Sequence, residues 1–365
     1  MQLTAEDRHL IGDSLQRICQ DLSAGLFARA EHSCAPSDFA GVLRLLAEQG
    51  VFNATDEPGC GLWEDCADPA NLALTLDSLA TLGATNAALA FSLHRAALAR
   101  HLLAQLQRDR EPAENPADLS LCLHGRHGIG RGELARWWQG LPADDSLLQD
   151  VFDAGSPRLA LTQDKIGRVI CPVFTDGALQ WHVCSAPREA TTAHGLDELR
   201  YGSIIPALGE PLPVLAPAAA RSLSRDLWHR DWLGLLAIQK GAVRQALARA
   251  REYSALRYQG GEVIHRHAAV QALLVELRGA LAETTAFLQA QRLDANAFGE
   301  LLLARNRLQE SLNTAANAAM QIFGGIGYMR DTGIEKCFRD VNQLRYQSGG
   351  PLDMTLLAAA WEEAS

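Results

Sequence analysis

Along the first 110 or so residues apolar positions recur three and four apart. Leu10, Leu15, Ile18 and Leu22 form one stripe, Phe39, Val42, Leu43, Leu46 and Val51 a second, and Leu72, Leu76, Leu79 and Leu82 a third. That period belongs to amphipathic helices. Glu57 to Asp68 is acidic with Pro58 and two glycines, and reads as a loop; the polar run Arg108 to Asp118, with Pro112 and Pro116, reads as a connector. From residue 155 to about 220 the pattern shortens. Leu159-Ala160-Leu161, Val169-Ile170-Cys171, Val173-Phe174-Thr175 and Trp181-His182-Val183 are β-prone runs, and Asp176-Gly177 predicts a hairpin turn. Pro206, Pro211, Pro213 and Pro217 close this region. Helical spacing then returns. Val243, Leu247 and Ala250 predict a helix from about Trp232 to Tyr258; Val270, Leu274, Leu277 and Leu281 predict the next; Leu301, Ala304, Leu308, Leu312 and Ala315 predict a third. With a terminal helix over Leu352 to Trp361 these predict a four-helix bundle. The expectation is a mainly α chain in three parts: helical over 1–120, a small β unit over 121–225, and a bundle over 226–365.

Composition narrows the function classes. The chain has 365 residues, 48% hydrophobic and 21% charged, so it is globular and too long for one small domain. A net charge of −10 argues against broad binding of a phosphate backbone. The eight cysteines are scattered without a CxxC, which predicts reduced, buried thiols. Glu6, Asp7 and Arg8 in the first turns are unlike a signal peptide, and Asp77, Asn86, His94 and Arg95 interrupt the most apolar stretch, Leu72 to Leu106. No run reaches the roughly 18 apolar residues of a membrane span. A cytoplasmic protein is the expectation.

Two segments could carry chemistry. Gln321 to Tyr328 (QIFGGIGY) places Gly324-Gly325 just past a helix, as a C-cap or as backbone that a ligand can approach closely. Arg257-Tyr258-Gln259-Gly260-Gly261 places a cation at a helix C-terminus, as a complement to the helix dipole or as a fork for a phosphate or carboxylate. His265 and His267 read as surface residues, the loop HGRHGIGRG around His124 and His127 as a flexible loop or an anion-binding one, and Trp63 and Trp137-Trp138 as packing.

Taken together, the two segments resemble the acyl-CoA dehydrogenase family. QIFGGIGYMRDTGIEKCFRDVNQLRYQSGG resembles that family's stretch from its flavin-contacting Gln-x-x-Gly-Gly to its last active-site loop, and Gly241 to Gln271 resembles its helix ending in Arg-x-Gln-x-Gly. VLRLLAEQGVFN and LDSLATLGATNAALAFSLH resemble its N-terminal helical domain. The resemblance implies FAD held between bundle and β domain, reaching a neighbouring subunit. Arg257 and Gln259 would contact its pyrophosphate and adenylate across that interface, Gln321, Gly324 and Gly325 would line it from the other side, and Thr162 would lie beside the flavin ring. It also implies an acyl thioester substrate, an electron-transfer flavoprotein or oxygen as acceptor, and a dimer or tetramer.

Two departures from the family pattern stand out. The stretch from Thr162 to Arg257 is short, so the β domain is cut down and Glu-Pro-x-x-Gly-Ser-Asp is absent. The family's catalytic Glu-Gly falls on Ser348-Gly349, in the substrate pocket. Serine cannot take a proton α to a thioester; that needs a carboxylate tuned by burial. Some members place the base at the start of the helix ending in Arg-x-Gln, which here falls on Asp231. An acid just before Trp232 also reads as that helix's N-cap. The leading expectation is an FAD-dependent dehydrogenase with Asp231 as base. The rivals are a non-catalytic subunit of a heteromeric dehydrogenase and a flavin oxidase or monooxygenase of the same fold.

Overall fold

The computed structural model describes residues 3–28, 34–48, 61–106, 118–164, 166–185 and 187–363. Val51, the start of the loop predicted from Glu57, and nearly all of the connector predicted from Arg108 lie outside these residues.

The first part is helical: α1 (Ala5–Ala24), α2 (Pro36–Glu48), α3 (Pro69–Thr85) and α4 (Ala87–Gln105). The predicted stripes of α2 and α3 are buried; in α1 Leu15 and Leu22 are buried, whereas Leu10 faces solvent. The second part holds β1 (Leu119–Leu121), α5 (Arg131–Trp138), α6 (Asp145–Val151), β2 (Arg158–Thr162), β3 (Arg168–Thr175), β4 (Ala178–Ser185), β5 (Arg188–Thr192), β6 (Arg200–Ile204) and β7 (Glu210–Pro211). One sheet has the order β1-β3-β4-β7, the other β2-β6-β5. Thr175 pairs with Ala178, and Asp176 and Gly177 both have positive φ, so the predicted two-residue turn is present. Two of the predicted runs merge into β3 across Pro172. Its missing N–H costs no ladder bond, because β1 pairs only as far as Ile170.

The third part begins earlier than its apolar spacing predicts. Helix α7 spans Pro217–Leu256, with Pro217 in its first turn, where a missing N–H costs nothing. Gly260-Gly261 is the turn of a small hairpin, β8 (Tyr258–Gln259) with β9 (Glu262–Val263). Then come α8 (Ala268–Ala290), α9 (Ala295–Phe323), α10 (Ile334–Arg345) and α11 (Pro351–Glu362). The fourth helix against α7 and α9 is α10; α11 packs between α9 and α5. Every residue from Leu227 to Val243 of α7 is buried, because α3 and α4 cover one side and the bundle the other. Contact is backbone-close at Gly83, where a Cβ would lie 2.6 Å from the Ile238 carbonyl, and at Gly241, 2.2 Å from that of Ala80. Glu198 ties the three parts together: Asn86 Nδ2 donates to it at 2.8 Å and Lys336 Nζ approaches at 3.3 Å.

Candidate functional site

Asp231 lies mid-helix and fully buried, fourteen residues past the start of α7, so it is not an N-cap. Its Oδ1 is 2.9 Å from His94 Nε2, and its Oδ2 is 3.3 Å from Arg95 Nη2. The indole N–H of Trp63 donates to His94 Nδ1 at 2.9 Å. An indole can only donate, so the imidazole proton sits on Nε2 and points at Asp231. Burial lowers the His94 pKa and keeps the ring neutral. Burial alone would raise the Asp231 carboxyl, but Arg95 and His94 more than offset it and hold the group below its ordinary range. Gly234 makes the arrangement possible, since a Cβ there would lie 2.3 Å from the His94 ring.

Ser348 belongs to the same cluster. Arg95 Nη2 donates to its Oγ at 2.8 Å and Trp232 Nε1 to its carbonyl at 2.9 Å. Arg305 donates to the carbonyls of Gln347 at 2.9 Å and Gly349 at 3.2 Å. Burial pushes Arg305 down to about 9. Ser348 is fully buried with φ 54°, and Gly349 has φ 112° with a Cβ position 2.5 Å from Ile129. The structure thus brings Asp231 and Ser348 together around one guanidinium. His94, Arg95 and Arg305 complete the cluster unforeseen, although His94 and Arg95 are among the residues that interrupt the most apolar stretch of the sequence.

A chain of rings links the β unit to the bundle. Trp181 of β4 lies 6.2 Å, centroid to centroid, from Trp228 of α7. Trp228 continues to Trp138 of α5 at 5.6 Å, and Trp138 to Phe298 of α9 at 5.4 Å. Thr162, at the end of β2, is buried, as is the following Gln163.

The remaining expected residues lie elsewhere. Arg257 caps α7 and Gly324 caps α9, and the two helix ends are neighbours because Tyr253 stacks on Phe323 at 4.3 Å. Arg257, Gln259, Gln321, Gly324 and Gly325 are exposed at this one end of a single chain's bundle, side by side rather than opposed. Arg257 makes no side-chain hydrogen bond or ion pair among the described residues. A Cβ on Gly324 or Gly325 would meet no atom within 4 Å, so no packing in the chain demands glycine at 325; at 324 the φ of 64° does. Leu256, Tyr258, Ile326, Tyr328 and Met329 are exposed around them. Asp231 and Arg257 are separated by roughly 40 Å of helix at 1.5 Å per residue, further than one dinucleotide reaches. Among the described residues no His/Cys/Asp/Glu group could hold a metal, and no helix is long and apolar enough to cross a membrane.

The profile of the family described as acyl-CoA dehydrogenase, C-terminal domain, matches residues 232–359. The very long-chain specific acyl-CoA dehydrogenase, mitochondrial, of Mus musculus is 25% identical over 129 residues, 34% of this chain and 20% of that protein. Its Homo sapiens counterpart is 26% identical over 121 residues, 32% of this chain and 18% of that one. The matched segment therefore spans about a fifth of these curated relatives. Over the whole fold, butyryl-CoA dehydrogenase from Megasphaera elsdenii superposes with a TM-score of 0.69 at 14% identity, covering 99% of both chains. A glutaryl-coenzyme A dehydrogenase in complex with glutaryl-CoA does so at 0.69 and 16%, covering 100% of this chain and 97% of that one. The chain is therefore a relative of the acyl-CoA dehydrogenases, carrying their C-terminal domain over residues 232–359 and their fold along its length.

Proposed function

We propose that the chain is a subunit of an FAD-dependent, acyl-CoA dehydrogenase-type oxidoreductase in which it completes a partner's cofactor site and does not itself abstract the proton. The two halves of FAD fare differently against the residues present. The bundle end fits the nucleotide half: an unpaired guanidinium at Arg257, amides at Gln259 and Gln321, and open backbone at Gly324 and Gly325. Arg257 would hold the pyrophosphate as a fork. The ring position beside Thr162 does not fit, because Thr162 and the following Gln163 are buried in the chain's own packing. Bound across the interface, FAD would supply a hydride acceptor, and a partner with an intact β domain and catalytic carboxylate would supply the base for an acyl thioester.

The observation that carries this reading is the closed centre around Asp231. A proton acceptor must reach its substrate and be tuned upward toward the working pH. Asp231 is inaccessible and tuned downward. Purified alone, the chain should be colourless and should not take up FAD; co-expressed with a full-length paralogue it should yield a yellow mixed complex. Arg257→Ala should strip FAD from that complex.

A second reading has one observation in its favour. Asp231 stands against Ser348, so the two alternative base positions lie next to one another. In that reading Asp231 is the base of a self-sufficient enzyme once Arg95 moves away. A yellow chain that turns over acyl thioesters alone, and loses turnover but not FAD in Asp231→Asn, would establish it and overturn the first.

A further inference from the structure

A second, smaller core lies in the β unit, built from Cys122, Ala160, Ile166, Val169, Cys171, Cys184 and Ile204. Three of its members are thiols. Cys122 directly follows β1, and its amide donates to the Ile170 carbonyl at 2.8 Å. The parallel register pairs Leu121 with Ile170, so Cys122 stands beside Cys171 on the same face. Cys171 and Cys184 lie diagonally across β3 and β4, with their sulfurs 3.5 Å apart.

The first thiol has a basic neighbour. The His124 ring nitrogens lie 3.7 and 3.9 Å from Cys122 Sγ. His124 Nε2 is 2.7 Å from the Leu159 carbonyl, which accepts only, so the ring carries its proton there and Nδ1 is free to take another. Arg158 is buried nearby, and its hydrogen bonds go to the carbonyls of Pro172 and Asp153 rather than to a carboxylate. Its charge therefore remains available to a thiolate. Burial would raise the Cys122 thiol, but His124 and Arg158 offset it and push it down to about 7. Thiol, base and orienting carbonyl are the parts of an activated nucleophile.

We propose that Cys122 is a peroxide-reactive thiolate and that Cys171 and Cys184 are its resolving thiols. Cys122 sulfur attacks one oxygen of hydrogen peroxide; the O–O bond breaks, hydroxide leaves, and the sulfur becomes a sulfenic acid. The Cys171 sulfur then attacks that sulfur, water leaves, and a disulfide forms. Exchange across the 3.5 Å contact passes the bond to Cys171–Cys184 and returns Cys122 to its thiol. The two thiols together lose two electrons, which reduce one peroxide to two waters. Half-buried His124, bonded to the carbonyl of exposed Leu159, lies against Cys122, and peroxide is little larger than water. The centre is independent of the cofactor reading above.

The test treats the full reduced chain with a small excess of hydrogen peroxide near neutral pH, counts thiols after denaturation and maps the peptides by mass spectrometry. Expected are the loss of two thiols, a disulfide within the trio, and a dimedone adduct at Cys122 when Cys171 and Cys184 are both alanine. Cys122→Ser and His124→Gln should each slow thiol loss at least tenfold. Oxidation that falls first on Cys34 or Cys337 while the trio stays reduced would overturn the proposal, as would an unchanged rate in Cys122→Ser. The map of the unmodified chain depends on no variant's folding.

Discussion

Near residue 231 helix α7 is enclosed on every side and its charges are bound to one another; at residue 257 the same helix ends in solvent with its guanidinium unbound. The inner region holds Asp231, His94, Arg95, Ser348 and Arg305 with almost no exposure. The outer region has two glycines with nothing around them and a ring of exposed apolar side chains. Charge buried without water is stable only when paired, so the inner cluster is fixed by its own partners. Charge left unpaired at a surface among uncovered apolar residues is fixed by nothing in the chain and is available to another molecule.

Substitutions should therefore divide sharply between the regions. Arg95→Leu strands Asp231 without its countercharge and should cost about 3–5 kcal/mol, the usual toll of breaking a buried pair, read in urea unfolding. A cost under 1 kcal/mol would mean the inner cluster is solvated, and the contrast would fail. Gly234→Ala drives a methyl into the His94 ring and should cost roughly 1–3 kcal/mol, as overpacking does, seen as a lower melting temperature.

The inner region should also respond to acid. Burial holds His229 down to about 4, and its Nε2 has no hydrogen bond. An unfolded histidine titrates near 6.5, so the unfolded chain takes up the proton first as the pH falls. Stability is full above that value and is lost progressively down to about 4; between pH 7 and 5 the loss should be about 2 kcal/mol. His229→Gln should flatten this slope in paired urea titrations. The smallest effect belongs to the outer region. Arg257→Ala should leave stability within about 0.5 kcal/mol, as exposed substitutions do, while the mixed complex loses its cofactor. A large stability loss there would show Arg257 to be structural.

Much of the fold was legible because burial of a helix face imposes its period on the sequence. The stripes of α2, α3 and α9 and the Asp176-Gly177 turn are all present. The first fifteen residues of α7 were not. Pro217 looked like a breaker there, although it occupies the one turn where proline is harmless. The N-cap assigned to Asp231 failed for the same reason. In the candidate site Arg257, Gln259, Gln321 and the glycines are local motifs and could be picked out directly. His94, Arg95 and Arg305 could not be assigned partners, because those lie on elements far away in sequence.

By itself the sequence determined the helical stripes, the hairpin turn and the resemblance carried by its C-terminal motifs. Those are properties of short segments, where periodicity and backbone chemistry act between near neighbours. Only the tertiary structure decided that Asp231 is sealed beneath Arg95, that Thr162 is buried, and that three thiols share one small core. Burial and electrostatics depend on what long-range packing places within a few ångströms, and no local pattern encodes that distance.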